Sequence, residues 1–169
     1  DSRILNLQSI SSIGMDLPLM LLRIPAPSRA ADVVRCANYS LNSSVETLEL
    51  LSEAAQFLGV QHRAIVMVDV GDLREGVWPD RAVNVVREAA RLPNIEVVGL
   101  GCNLACYGGV IPTVENMQVL VDLRDECRDV GFQQADAEHD QQESRVEQRG
   151  CAGDGQHGIP CVAGPAKGL

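Results

Sequence analysis

Polar side chains follow three short apolar segments of the chain, and their types suit the binding of charged small molecules. Arg23 lies near the end of the first segment, Arg74 lies in the stretch 69–77 after the second, and the stretch 99–110 starts at the end of the third. An arginine guanidinium can bind a carboxylate through two parallel hydrogen bonds. If the apolar segments are parallel strands, these side chains lie at the carboxyl edge of a sheet, where functional groups gather in βα folds. The stretch 99–110 contributes the remaining candidates: Asn103, Cys106 and Tyr107.

Asp69 and Asp72 follow the second apolar segment and could suggest a pair of metal ligands. For aspartates at a strand end, capping of the next element is the more common role. We therefore expect these two residues to cap the next element. The six cysteines contain no C-x-x-C pair and match no zinc-binding spacing, so reduced thiols and no metal are expected.

Short apolar runs alternate with amphipathic segments through the first 131 residues. Nearly continuous apolar runs are typical of strands buried on both faces, and they cover residues 19–24, 39–41, 64–68 and 95–100. Apolar residues spaced three and four apart predict helices over residues 3–13, 28–36, 44–58, 79–91 and 114–130.

The ends of the last three helices carry recognisable residue types. The third helix is expected to have Ser43 in its capping box and to stop at Gly59. Pro79 suits the first position of the fourth helix. The fifth is expected to start after Thr113 and to end at Gly131.

Strands that alternate with helices indicate a parallel sheet with helical crossovers, and therefore an α/β protein. An open doubly wound sheet and a closed eight-stranded barrel both produce this order of elements. Four strands cannot close an eight-stranded barrel, so a barrel would be present only in part. Periodicity alone does not decide between the two architectures.

The composition limits the classes of function. Hydrophobic residues make up 46% of the 169 residues and aromatic ones only 3%, so a core would be aliphatic. The net charge of −9 and the lack of any Lys or Arg run argue against nucleic-acid binding. No apolar stretch approaches the roughly 18–20 residues of a membrane span. A cytoplasmic protein is expected.

The character of the chain changes after residue 131. Glutamine and glycine become frequent, and large aliphatic residues nearly vanish. Such a segment cannot bury enough apolar surface to offset its ordering entropy, so we expect residues 132–169 to be a disordered tail. The abrupt change would also be produced by a shift of reading frame.

Two stretches, 69–76 and 101–109, resemble those of the alanine/ornithine racemase family of pyridoxal-phosphate-dependent enzymes. The resemblance runs from Asp1 to about Gly131, and it includes three further segments: 1–3, 21–25 and 40–43. It implies that residues 1–131 are part of an alanine-racemase-type (β/α)8 TIM-type barrel in which parallel strands alternate with helices. The implied cofactor is pyridoxal phosphate, and the implied substrate is a small amino acid such as alanine or ornithine.

The resemblance also assigns roles to the candidate residues. Arg74 matches an arginine that lies near the cofactor's phenolic oxygen or the substrate carboxylate, and Asn103 follows a strand that faces the cofactor. Arg23, Cys106 and Tyr107 would line the substrate pocket. Each has a plainer alternative: a surface arginine, a turn asparagine, or a residue that only packs in the interior. A homodimer is compatible with the resemblance.

The groups that the family needs for catalysis are not all found. The family attaches its cofactor to a lysine on a first barrel strand, whereas Lys167, within the predicted tail, is the only lysine of this chain. The family's phosphate-binding strand end after the fifth helix is also not recognisable. We therefore expect a racemase fragment, inactive as it stands.

Two alternatives are kept. The chain could be a non-catalytic homologue that binds pyridoxal phosphate or a partner. It could also be a nucleotide-binding α/β domain, because Gly99 and Gly101 stand at a strand end. The third glycine of the dinucleotide pattern is replaced by Leu104, so that signal is weak.

Overall fold

Four parallel strands, each followed by a helix, make up the fold. The structure is a computed structural model, and it describes residues 1–14, 17–104 and 110–132. The strands pair in the order in which they occur along the chain: β1 (Met20–Leu21), β2 (Tyr39–Asn42), β3 (His62–Met67) and β4 (Ile95–Gly101). Every pairing is parallel. The predicted parallel α/β arrangement is therefore confirmed, with β1 shorter than the run 19–24.

The helices also lie close to their predicted positions. They are α1 (Ile4–Ser12), α2 (Ala30–Cys36), α3 (Val45–Leu58), α4 (Pro79–Ala89) and α5 (Val114–Cys127). A 3₁₀ turn, Pro27–Arg29, precedes α2, and a π-helical turn, Arg128–Phe132, follows α5. This π-helical turn continues the helix through Gly131. The prediction that the helix stops at that glycine is therefore wrong. None of the helices within the described ranges is long and apolar enough to cross a membrane.

Side-chain hydrogen bonds and one glycine define the ends of α3 and α5. Thr113 caps α5 in a capping box: its hydroxyl accepts from the backbone N–H of Asn116, and the Asn116 side chain accepts from the Thr113 N–H. Gly59 ends α3 in the left-handed conformation, as expected, with φ of 65°. The start of α3 is one residue later than predicted, because Ser44 accepts from the Thr47 N–H at 3.2 Å.

This shift can be tested with two adjacent serines. Replacing Ser44 with alanine should lower the free energy of unfolding by about 1 kcal/mol, because it removes an acceptor from an N-terminal backbone N–H. Ser43→Ala should cost much less. Urea denaturation of both variants measures the difference. A larger loss of stability for Ser43→Ala would show that Ser43, the residue predicted from the sequence, is the N-cap.

One face of the sheet packs against the helices and forms an aliphatic core. Alternate residues of β3 and β4 meet leucines and alanines of the helices there; the members include Leu48, Leu51, Ala55, Ala64, Val66, Val86, Ala89, Ile95 and Val97. The opposite face is polar near the start of the strands. Tyr39, Arg63 and Glu96 are in register across three strands, and Arg63 Nε lies 2.9 Å from Glu96 Oε2. The sheet is therefore amphipathic at the amino-terminal end of its strands.

Candidate functional site

The carboxyl ends of β3 and β4 bring three polar side chains together. Arg74 and Glu75 lie in the loop 69–77 after β3, and Asn103 lies two residues beyond the end of β4. Since β3 and β4 are neighbours, their carboxyl ends meet at one edge of the sheet. We call this group, Arg74, Glu75 and Asn103, the edge triad.

The loop 69–77 folds back onto the strand from which it starts. Asp69 Oδ1 accepts from the backbone N–H of Gly71 at 2.9 Å and from that of Leu73 at 3.1 Å. Val77 donates to the Met67 carbonyl at 2.8 Å and accepts from the Asp69 N–H at 2.9 Å. Asp69 therefore stabilises its own turn, whereas the next element, α4, has Trp78 at its N-cap and no side-chain cap, so the expectation that Asp69 and Asp72 cap that element is wrong. Across the residues that the structure describes, no group of three or more His, Cys, Asp or Glu side chains could hold a metal ion.

Three residues of this loop, Gly71, Leu73 and Gly76, have backbone angles that side chains rarely adopt. Leu73 has φ of 53°, and its N–H bond to Asp69 helps to hold it there. Gly76 has φ of 121°, and a Cβ at this position would lie 2.6 Å from the Asp69 nitrogen. A glycine is therefore required where the loop meets its own strand. Such local strain is found most often at functional sites.

Arg74 lies between two carboxylates. Its Nε is 3.7 Å from Asp72 Oδ2, and its Nη2 is 3.4 Å from Glu75 Oε1. The Arg74 side chain is 44% exposed, whereas the Asp72 side chain is only 7% exposed. Within the described part of the chain, no hydrogen bond or ion pair uses Nη1 of Arg74. The guanidinium is held from two sides and retains hydrogen-bonding capacity toward a further anion.

Asn103 joins the same carboxylate from the neighbouring strand. Its Nδ2 donates to Glu75 Oε1, the oxygen that Arg74 also contacts. Glu75 was not among the residues selected from the sequence. The only signal for it was an acidic side chain directly after the arginine of a strand-end motif, which does not say which partners the carboxylate meets.

The structure does not join Arg23 to the edge triad. The residue is exposed after β1, and no carboxylate of the described residues lies within 4.0 Å of its guanidinium. The predicted place of Arg23 in the substrate pocket stays a prediction. Cys106 and Tyr107 lie outside the described residues, so their predicted place in the substrate pocket stays a prediction.

Cys102 stands between the end of β4 and Asn103. Burial raises the pKa of its thiol, so the thiol stays protonated at neutral pH. Because the thiolate is the nucleophilic form, this cysteine does not supply a nucleophile to the edge triad. Within the described ranges, three cysteines are free thiols: Cys36, Cys102 and Cys127.

A second polar group lies in the interior, on the helix-facing side of β2 and β3. Ser40 Oγ and His62 Nε2 are 2.8 Å apart, and Asn42 Nδ2 donates to Ser40 Oγ at 3.1 Å. All three residues are fully buried. Burial lowers the pKa of His62 to about 4, although the backbone carbonyl of Ala37 acts in the opposite direction. The imidazole is therefore neutral at physiological pH.

Comparison with known proteins agrees with this architecture. The chain is 44% identical to the ornithine racemase of Acetoanaerobium sticklandii over 129 residues, which are 76% of this chain and 36% of that protein. It is 37% identical to the lysine racemase of Thermotoga maritima over 125 residues, which are 74% of this chain and 34% of that protein. The chain thus spans about a third of the length of these curated relatives.

A solved structure with the same fold is the alanine racemase of Clostridium difficile 630. The TM-score is 0.62 with 21% identity, and the match covers 79% of this chain and 35% of that chain. The sequence profile described as alanine racemase, N-terminal domain, matches residues 2–138. Of the two architectures that fit the order of elements, the likeness supports the barrel. The chain belongs to the alanine racemase N-terminal domain family.

Proposed function

We propose that residues 1–131 supply part of the cofactor and substrate site of a pyridoxal-phosphate-dependent amino-acid racemase. The observation that carries this proposal is the edge triad, which unites Arg74 and Asn103 at the carboxyl ends of two neighbouring strands. In (β/α)8 barrels that edge holds the active site. The ornithine and lysine racemases among the relatives make an amino acid with a terminal amine the first substrate to test.

The donor set fits one part of pyridoxal phosphate. The cofactor supplies an electron sink for the charge left when the α-proton of an amino acid departs. Its phenolic oxygen, its phosphate and the substrate carboxylate are anionic, and the guanidinium of Arg74 can bind such groups, whereas Asn103, which donates to Glu75, offers its carbonyl oxygen to a donor of the ligand. The described residues contain no lysine, so they offer no side-chain amine for covalent attachment.

We further propose that the 169-residue chain does not catalyse racemisation by itself. Covalent attachment of the cofactor needs a lysine amine, and Lys167 is the only lysine in the sequence. It lies outside the described residues, and the predicted disorder of residues 132–169, with a shifted frame as its origin, stays a prediction. A cytoplasmic location and a homodimer are likewise predictions.

The purified chain mixed with pyridoxal phosphate tests this proposal. We expect neither a covalent pyridoxyl group at Lys167 after borohydride reduction nor D-enantiomer formation from L-ornithine, L-lysine or L-alanine in chiral chromatography. We also expect reversible binding that Arg74→Ala weakens by about tenfold or more, because a hydrogen bond to a charged group contributes about 1.5–3 kcal/mol. Arg81→Ala, an exposed arginine on α4, is the matched control.

Each part can fail separately. A reduced adduct at Lys167 together with D-enantiomer formation would show that the chain is active. Binding that Arg74→Ala leaves unchanged would remove the edge triad from the cofactor site. Binding without racemisation would also agree with the second candidate, a non-catalytic homologue that binds pyridoxal phosphate, which the lack of a lysine in the described residues favours.

A further inference from the structure

We propose that Glu75 is a positioning residue that fixes the guanidinium of Arg74 and the amide of Asn103 as one unit. This inference rests on the proposed function, because it concerns the same edge of the sheet. Its basis is a single carboxylate oxygen, Glu75 Oε1, which accepts both from Asn103 Nδ2 and from Arg74 Nη2. Glu75 thereby connects the loop after β3 with the end of β4.

The backbone that carries Glu75 is held in place by its neighbours. Its side chain is 21% exposed, and it sits one residue before Gly76, whose backbone lies against Val68 and Asp69. Val77, two residues after Glu75, is hydrogen-bonded in both directions to the end of β3. A carboxylate on such a backbone can restrict a long and mobile arginine side chain before a ligand arrives. That restriction reduces the entropy lost on binding.

The contact also decides what Asn103 presents to a ligand. An amide that donates through Nδ2 to a carboxylate has its carbonyl oxygen on the other side. Glu75 therefore leaves Asn103 with an acceptor, Oδ1, available beside the donor groups of Arg74. Without the carboxylate, the amide could turn either way, and among the described residues the guanidinium would keep only the more distant Asp72 as an ion-pair partner.

The first test observes the orientation without any ligand. In ¹H–¹⁵N spectra of the whole chain, Glu75→Ala should shift the side-chain signals of Asn103 Nδ2 and Arg74 Nε. Glu75→Gln should keep both signals near their original positions, because its amide oxygen can still accept from both donors. Glu53→Ala, on the exposed face of α3, is the matched control and should change neither. Unchanged signals in Glu75→Ala would overturn the proposal.

The second test measures affinity for pyridoxal phosphate by quenching of Trp78, the only tryptophan, which is 56% exposed just beyond the loop. Glu75→Ala should weaken binding about tenfold, and Glu75→Gln should restore most of that loss. If Glu75 acts through Arg74, the double variant Arg74→Ala/Glu75→Ala should bind no more weakly than Arg74→Ala alone. A purely stabilising role for Glu75 would instead give additive losses.

Two further outcomes have distinct meanings. Tighter binding by Glu75→Ala would mean that Glu75 only opposes the anion by its charge, and the positioning role would be wrong. If the unmodified chain does not quench at all, the proposed cofactor role of this edge fails, while the Asn103 and Arg74 signals still decide whether Glu75 orients them.

Discussion

Replacing Gly76 with alanine is expected to lower the free energy of unfolding by about 3 kcal/mol or more. The added Cβ would lie 2.6 Å from the Asp69 nitrogen and 2.7 Å from the Val68 carbonyl carbon, so it would collide with backbone that cannot turn away. The φ of 121° adds a conformational cost for any residue with a side chain. Urea denaturation followed by circular dichroism measures the loss.

Gly59→Ala is the matched control for this prediction. Gly59 also has a positive φ, 65°, but nothing lies within 4 Å of the position that its Cβ would take. Its replacement should therefore cost only the conformational strain, about 1–2 kcal/mol. If the two variants lost the same stability, the close contact at Gly76 would have no energetic effect, and the loop 69–77 would be less firmly attached to β3 than its hydrogen bonds indicate.

The loop 69–77 also connects the stability of the fold with ligand binding at the edge triad. Glu75 and Arg74 directly precede Gly76, so a displaced backbone at Gly76 moves both side chains away from Asn103. We expect Gly76→Ala to weaken the quenching of Trp78 by pyridoxal phosphate, whereas Gly59→Ala should leave that affinity unchanged. The pair of variants therefore separates the geometry of the loop from the general stability of the domain.

The order of the elements was predictable because hydrophobic periodicity reports which face of each segment is buried. Leu48, Leu51 and Ala55 are spaced for one face of a helix, and all three are fully buried in α3. The runs 64–68 and 95–100 became β3 and β4 with small changes at their ends. Periodicity left the choice between an open sheet and a barrel undecided, since both bury the same residues.

Element boundaries were less predictable, because neighbouring residues offer the same chemistry. Ser43 and Ser44 can both cap a helix, and the backbone angles decide in favour of Ser44. Gly131 has the residue type of a helix stop, but the chain continues through it in a π-helical turn. Such choices differ by about 1 kcal/mol, which packing in the folded protein readily outweighs.

The sequence predicted which residue types form the candidate site, but it predicted their arrangement only in part. Arg74 and Asn103 were selected from motifs 29 residues apart, and the parallel pairing of β3 and β4 brings them to one carboxylate. Glu75 was missed because its role depends on contacts across two strand ends. Arg23 was selected by the same strand-end reasoning, yet it lies exposed and outside the triad, since position after a strand does not fix the direction of a side chain.

The buried polar group of β2 and β3 was not predicted either. Ser40 and Asn42 alternate with Tyr39 and Leu41, and the sequence does not say which pair faces the helices. In the fold it is the polar pair, and both residues have no exposed surface. Hydrogen bonds from His62 and Asn42 to Ser40 offset part of the cost of this burial, whereas Asn42 Oδ1 and His62 Nδ1 have no hydrogen-bond partner among the described residues. A buried histidine in such a group makes stability depend on pH.

Acidification should therefore destabilise the protein through His62 by about 3 kcal/mol. Burial lowers the pKa of the folded-state imidazole from 6.5 to about 4, so the unfolded chain binds more protons between these two values. The free energy of unfolding then falls as the pH falls from about 6.5, and this contribution levels off below about pH 4. Above pH 6.5 the imidazole is neutral in both states and contributes no pH dependence.

Comparison of the unmodified chain with His62→Gln isolates this contribution. Carboxylates also titrate in acid, but they do so in both proteins, so the difference in unfolding free energy between them removes that background. At pH 7.5 the difference reports only the altered packing and hydrogen bond to Ser40. Between pH 6.5 and 4 it should change by about 3 kcal/mol in favour of the variant, because glutamine binds no proton on unfolding. A constant difference would mean that His62 titrates alike in both states, and that the Ser40–His62 pair is open to water in the native protein.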